Sequence, residues 1–139
     1  MELTPETSFR MRSVRRKNTT PEITVRKALH RLGYRFRLHQ KTLPGSPDIV
    51  LKKYKTVIFV HGCFWHRHPM CRYATFPKTR AEFWSNKFQK NINRDKANIE
   101  ALTNMGWHVL VIWECQTREI AFLDETLLML HSRTETSNS

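Results

Sequence analysis

The sequence predicts a single α/β domain, a mixed β-sheet flanked by helices, and three observations carry that expectation. Two apolar runs, residues 57–60 and 107–114, are separated by one long helical pattern at 80–105, a strand–helix–strand crossover that makes the two strands parallel. The first of these runs is preceded by another hydrophobic stretch, 48–51, across a short polar turn at 52–55, which makes that pair antiparallel. With 139 residues, 40% of them hydrophobic and 11% aromatic, the chain is long enough for one core and short for two. The expected organisation is a basic arm or helix at 1–18, one domain at 19–131 and a polar tail at 132–139.

The elements follow in order. RMRSVRRK, residues 10–17, holds five positive charges and no acid, and only Met11 and Val14 in it are apolar. It reads as a segment laid against phosphate, with Arg12, Arg15, Arg16 and Lys17 supplying charge. NTTPEITVRKALHRLGY then carries a helix start and stop: Thr19 or Thr20 as N-cap, Pro21 in the first turn, Glu22 as a capping-box acid and Gly33 as terminator. Val25, Ala28, Leu29 and Leu32 fall at i, i+3, i+4 and i+7, one buried face. Tyr34, Phe36 and Leu38 alternate with basic residues as a half-exposed strand, and LPGSP is a rigid turn that restarts the chain at Asp48.

Residues 57–60 are apolar on both faces and belong inside the sheet. The helix at 80–105, with a weak point near 89–91, turns Ile92, Ile99 and Leu102 inward and ends at Gly106. WHVLVIWE is a second buried strand, with Trp107 and Trp113 in the core, and DETLLMLHS a last short helix. The sequence contains no internal repeat.

Composition narrows the partners. Lysine and arginine exceed the acids by 24 to 12, a net charge of +12 that points to a polyanion, nucleic acid first. No run approaches the roughly 18 to 20 apolar residues that cross a bilayer, and MELTPETSFRMRS lacks the apolar centre of a signal peptide. A cytoplasmic protein with no membrane partner is expected. Three cysteines, an odd number, argue against a disulfide framework and for thiolates that bind metal.

HGCFWHRHPMC, residues 61–71, concentrates the chemistry. Cys63, His68 and Cys71 have C-x4-H-x2-C spacing, and with Cys115 they make a four-ligand set for structural zinc. The plainer reading is buried thiols and surface histidines. His61 and His66 are left over, beside the end of a strand whose neighbour begins with an acid, and are candidates for proton transfer. Asp48 opens a hydrophobic strand, a costly place for a charge unless a cation meets it. Mg²⁺ would do so through one carboxylate, a backbone carbonyl of the next strand and waters. The plain alternative is a turn-ending aspartate. Glu22, Asp95 and Glu114 are secondary candidates, with plain readings as helix cap, solvated helix face and strand-end charge.

LPGSPDIVL, VIFVHGCFWH, RAEFW, NRD and GWHVLVIWEC, in this order over residues 10–115, resemble the very short patch repair (Vsr) DNA mismatch endonucleases. The resemblance implies a restriction-endonuclease-like fold with a structural zinc site, and nicking of one strand beside a T:G mismatch. It implies Asp48 as the metal-binding aspartate, with Phe59-Val60-His61 in the place of an E-x-K signature, so that Val60 offers only its backbone carbonyl to Mg²⁺. His66 is then the catalytic histidine, Asp95 its orienting partner, His61 an auxiliary group and Glu22 a holder of the hydrated metal. Cys63, His68, Cys71 and Cys115 become the Zn²⁺ ligands, Phe64, Trp65 and Trp84 an aromatic wedge, and Met11 an insertion from the opposite groove. It further implies a monomer in the nucleoid, acting on T:G-mismatched duplex alongside mismatch-repair proteins and a cytosine-5 methyltransferase whose product deaminates to thymine.

Two rivals stand beside this reading. A zinc-stabilised, non-catalytic nucleic-acid-binding module explains the charge and the cysteines but not Asp48 or the spare histidines. A second rival, within nucleases, is a nicking or restriction-type enzyme acting on matched duplex.

Overall fold

The computed structural model describes residues 19–137, with side chains to His131. The basic segment, and with it Met11, Arg12, Arg15, Arg16 and Lys17, lies outside the described residues.

Helix α1 (Thr20–Arg31) starts where the capping signals place it, with the Thr19 hydroxyl accepting from the Glu22 amide and Pro21 in the first turn. It stops because Gly33, at φ +88°, takes the left-handed conformation that lets the Tyr34 amide bond back to the Leu29 carbonyl. Strand β1 (Arg37–Leu38) is only a stub and both its residues are exposed. Tyr34, expected on that strand, is instead buried under the last helix, its hydroxyl donating to the Leu127 carbonyl at 2.6 Å.

Strands β2 (Ile49–Leu51) and β3 (Thr56–His61) are antiparallel, joined by a 3₁₀ turn (Lys52–Tyr54) and by Lys55 at φ +51°. Helix α2 (Ala81–Asn104) carries the chain to β4 (His108–Trp113), which pairs parallel with β3 in the register His61↔Trp113. The sheet order is β1-β2-β3-β4, a mixed sheet with the expected crossover. After a 3₁₀ turn (Glu114–Arg118), helix α3 (Ile120–Ser137) begins earlier and runs longer than the short helix the pattern suggested.

On one sheet face, Val25 and Leu29 of α1 and Leu123, Leu127 and Leu130 of α3 close over Ile49, Leu51, Ile58 and Ile112. Leu29, Ile49 and Ile58 are fully buried, so truncating any of them to alanine costs about 2–5 kcal/mol, a large share of a domain's net stability. The opposite face packs Val50, Val57 and Phe59 against Leu102 of α2.

Several expectations need correction. Strand β4 is not buried on both faces: only Ile112 is, because the described sheet ends at β4. Trp107 and Trp113 are accordingly half-buried. The Lys55 ammonium lies 4.0 Å over the Trp107 ring, and Trp113 stacks on His68. Helix α2 is unbroken, and its inward stripe is Trp84, Phe88, Asn91, Asp95, Ile99 and Leu102, so Ile99 and Leu102 face inward as expected while Ile92 is 40% exposed. The α-helical period is kept, but the stripe turns polar where it crosses the cleft described below. Among the described residues, no helix is long and apolar enough to cross a membrane.

Candidate active site and metal-ligand clusters

A cleft of about 1460 Å³ opens between the start of α1, the loop before β2, the end of β3 and the polar stripe of α2. The loop reaches α2 because Gly45, at φ +75°, has no side chain: a Cβ there would lie 2.8 Å from the Asn98 amide nitrogen. That close approach sets Asp48 at the cleft floor.

Asp48 Oδ2 accepts the Val60 amide at 2.7 Å, tying the entry of β2 to the far end of β3. Burial pushes the Asp48 pKa up to about 6, further raised by Glu22 and countered by the Val60 amide and the neighbouring histidines. Glu22, only 1% exposed, does more than cap a helix. Its carboxylate meets the Arg26 guanidinium and, at 2.9 Å, His39 Nε2. His39 sits at φ +48° and its own amide donates to the Asp48 carbonyl at 3.1 Å. Ligand atoms of Glu22, His39 and Asp48 lie within 4.8 Å of one another. Two carboxylates beside an imidazole fit a hydrated divalent cation, with the carboxylate oxygens as the hard ligands.

Across the cleft, the His61 and His66 rings stack at 3.9 Å and 4°. His66 Nδ1 is 2.6 Å from Asp95 Oδ2. With the carboxylate ionised, Nδ1 carries the proton and donates, which leaves Nε2 as a proton acceptor. Burial opposes the charge on Asp95, but the hydrogen bond to His66, with the nearby Arg94, holds its pKa below the usual range. His61 is 6% exposed. Its burial, with the adjacent His66, lowers its pKa to about 4, so it stays neutral.

The cysteine cluster follows from the sheet register. His61 and Trp113 are paired on adjacent parallel strands, so Cys63 and Cys115, each two residues beyond, emerge at the same sheet end. His68 and Cys71 come back to them from the loop, and the four ligand atoms lie within 4.8 Å of one another. The Cys115 amide donates to Cys63 Sγ at 3.4 Å, and Cys115 Sγ is 3.5 Å from His68 Nδ1. All three cysteines are free of disulfides. Burial and thiol crowding push the Cys63 pKa up to about 12 and raise that of Cys115, a penalty that a soft divalent cation would relieve. Three sulfurs and one imidazole nitrogen fit tetrahedral zinc.

The aromatic residues divide. Phe64 and Trp65 are half-buried and edge-to-face at 5.0 Å, and Trp65 lines the cleft. Trp84 does not share that exposure. It is 4% exposed, wedged under Phe64, Trp65, Phe83 and Phe88, and its indole N–H is buried without a partner among the described residues. It supports the Phe64 and Trp65 rings from beneath instead of standing at the surface. Phe76 and Phe83, which the sequence reading passed over, are the exposed members of the cluster at 47% and 44%.

Asn91 and Asp95, one turn apart on α2, hold consecutive residues of the loop: Asn91 Nδ2 donates to the Trp65 carbonyl at 3.0 Å, and Asp95 holds His66. Asn91 and His39 were not singled out in sequence. His39 lies in an alternating basic stretch, and only its left-handed backbone and the folded loop bring it to Glu22. Glu114 also lines the cleft.

Known proteins resemble this chain. A model of the family described as DNA mismatch endonuclease Vsr matches residues 3–72. The type II nicking enzyme V.XorIIP of Xanthomonas oryzae pv. oryzae is 48% identical over 126 residues, 90% of this chain and 92% of that one. The DNA mismatch endonuclease Vsr of Escherichia coli is 43% identical over 111 residues, 80% of this chain and 70% of that one. The catalytic domain of the homing endonuclease I-Bth0305I shares the fold, with a TM-score of 0.59 at 21% identity over 84% of this chain and 98% of that one.

Proposed function

The chain belongs to the DNA mismatch endonuclease Vsr family, and from that premise we propose that this DNA endonuclease nicks one strand of a duplex beside a T:G mismatch, using Mg²⁺ for the chemistry and Zn²⁺ for architecture. The observation that carries the reading is the shared cleft: an imidazole oriented by a carboxylate, His66 on Asp95, faces the same space as the Asp48–Val60 pair.

Lys87 and Arg94 in the cleft, with Arg12, Arg15, Arg16 and Lys17, gather the duplex by releasing its counterions, so affinity falls steeply with salt. Phe64 and Trp65 enter the base stack, backed by Trp84, while Met11 enters from the opposite groove. Unstacking costs a few kcal/mol per step and costs least where pairing is already weak, so discrimination is partly mechanical. His66 Nε2 takes the proton of the attacking water, and Asp95 stabilises the imidazolium that forms. His61, neutral and stacked on His66, keeps a second positive charge out of the site. Asp48, the Val60 carbonyl and Glu22 would hold Mg²⁺, which when bound polarises the scissile phosphate and stabilises the leaving oxygen. Cys63, His68, Cys71 and Cys115 would hold Zn²⁺, which pins the loop carrying both wedge and base. On this reading the enzyme acts as a monomer in the nucleoid, where a cytosine-5 methyltransferase generates its lesions and mismatch-repair proteins are its partners.

A second reading is nicking of matched duplex: the 48%-identical Xanthomonas relative is named a type II nicking enzyme, and that name specifies no mismatch. The experiment that tests the chemistry is substitution of the two sides of the cleft. Asp48→Ala and His66→Ala each lower nicking by on the order of a thousandfold, while binding to mismatched duplex is retained. Full cleavage by either variant removes that residue from the mechanism.

A further inference from the structure

We propose that Arg67 is the positioning residue that sets the aromatic wedge, its guanidinium holding the Phe64 carbonyl to residues 74 and 75 while stacking on α2. The inference rests on the reading that Phe64 and Trp65 enter the base stack. Between β3 and α2 the chain runs from residue 62 to residue 80 without a helix or strand. Such a loop presents rings in one orientation only if something other than backbone ladders fixes it.

The Cys63, His68, Cys71 and Cys115 cluster gathers the residues that flank the rings. Arg67 acts on Phe64 itself, and through it on the Trp65 ring packed edge-to-face against it. Its Nη1 donates to the Phe64 carbonyl at 3.1 Å and to the Thr75 carbonyl at 3.0 Å, and its Nη2 donates to the Ala74 carbonyl at 2.8 Å. The guanidinium plane lies 4.1 Å over the Phe88 ring of α2 and 5.5 Å from the Phe64 ring. Arg67 adopts φ +54°, a conformation uncommon for a residue with a side chain and maintained where surrounding contacts over-determine it. One planar cation thus ties both arms of the loop to the helix that carries Asn91 and Asp95. Lysine keeps the charge but has no flat fork to reach three carbonyls while stacking on a ring.

The test uses the full chain as wild type, Arg67→Lys, Arg67→Met and Trp65→Ala. Dissociation constants are measured on T:G and T:A duplexes, alongside the fluorescence of a 2-aminopurine placed next to the mismatch, which reports unstacking. Arg67→Lys and Arg67→Met are expected to lower the T:G preference by about tenfold, the scale of one charge-assisted hydrogen bond. They should also suppress the 2-aminopurine signal, with zinc content and melting midpoint near wild type. An unchanged preference in both Arg67 variants, with the preference lost in Trp65→Ala, overturns the role of Arg67. Equal weakening on both duplexes with a lowered melting midpoint overturns it as well, because Arg67 would then be general scaffold. If Trp65→Ala itself keeps the T:G preference, ring insertion is the reading that falls, and the Arg67 proposal falls with it.

Discussion

His66 and Asp95, 29 positions apart in the chain, are joined by a 2.6 Å contact between Nδ1 and Oδ2, so the imidazole presents Nε2 to the cleft as an acceptor. An amide at position 95 can offer its NH₂ to Nδ1 and select the opposite tautomer. Asp95→Asn should therefore lower single-turnover nicking by roughly 10²–10⁴-fold with little change in the dissociation constant for mismatched duplex. Nicking by Asp95→Asn at the wild-type rate would show that the carboxylate does not set the tautomer.

Asp48 bears on how stability depends on pH. Its pKa stands at about 6 in the fold against an ordinary 3.8, so between those values the folded state binds the extra proton and metal-free stability falls as pH rises. His61, lowered from 6.5 to about 4, contributes stability that is present above 6.5 and lost as pH falls through 4. The two slopes offset each other in the parent protein, so the difference between variant and parent is the informative quantity. Asp48→Asn, whose amide oxygen can still accept from Val60, should raise stability without added Mg²⁺ by about 3 kcal/mol above pH 6, with the gain vanishing near pH 4. Denaturant melts across that range check it, and a gain independent of pH would contradict the burial argument.

Trp65 and Trp84 should separate. Trp65→Ala should weaken T:G binding more than T:A binding. Trp84→Ala empties a site that is 4% exposed and should cost about 3–5 kcal/mol of stability. Thermal melts with binding isotherms on both duplexes compare them, and equal loss on the two duplexes for Trp65→Ala would make that ring scaffold too.

Cys115→Ser should lower zinc content by elemental analysis and lower the melting midpoint, because Cys115 closes the cluster from the turn that follows β4. Stoichiometric zinc absent from the parent protein, with Cys115→Ser as stable as the parent, would leave the cluster as ordinary thiols.

The crossover was legible because apolar runs at 57–60 and 107–114 bracket one helical pattern, and that topology alone brings Cys63 to Cys115. The inward stripe of α2 was not, because Asn91 and Asp95 occupy it and an apolar count prefers Ile92. Trp84 could be assigned to the aromatic cluster but not to its inside, since burial depends on the loop folded over it. His39 was missed because its position depends on backbone handedness, for which an ordinary side chain carries no signal. The half-exposure of Trp113 follows from β4 ending the described sheet, a matter of strand order that local pattern does not encode.

The central claim is that one cleft joins mismatch-dependent ring insertion to cation-dependent hydrolysis. Single-turnover nicking of otherwise identical T:G and T:A duplexes, each strand separately labelled, with Mg²⁺ and with EDTA, tests it most directly. The account predicts a nick in one strand of the T:G duplex with Mg²⁺ and none in T:A or in EDTA. Equal nicking of T:A, or nicking that survives EDTA, would contradict it.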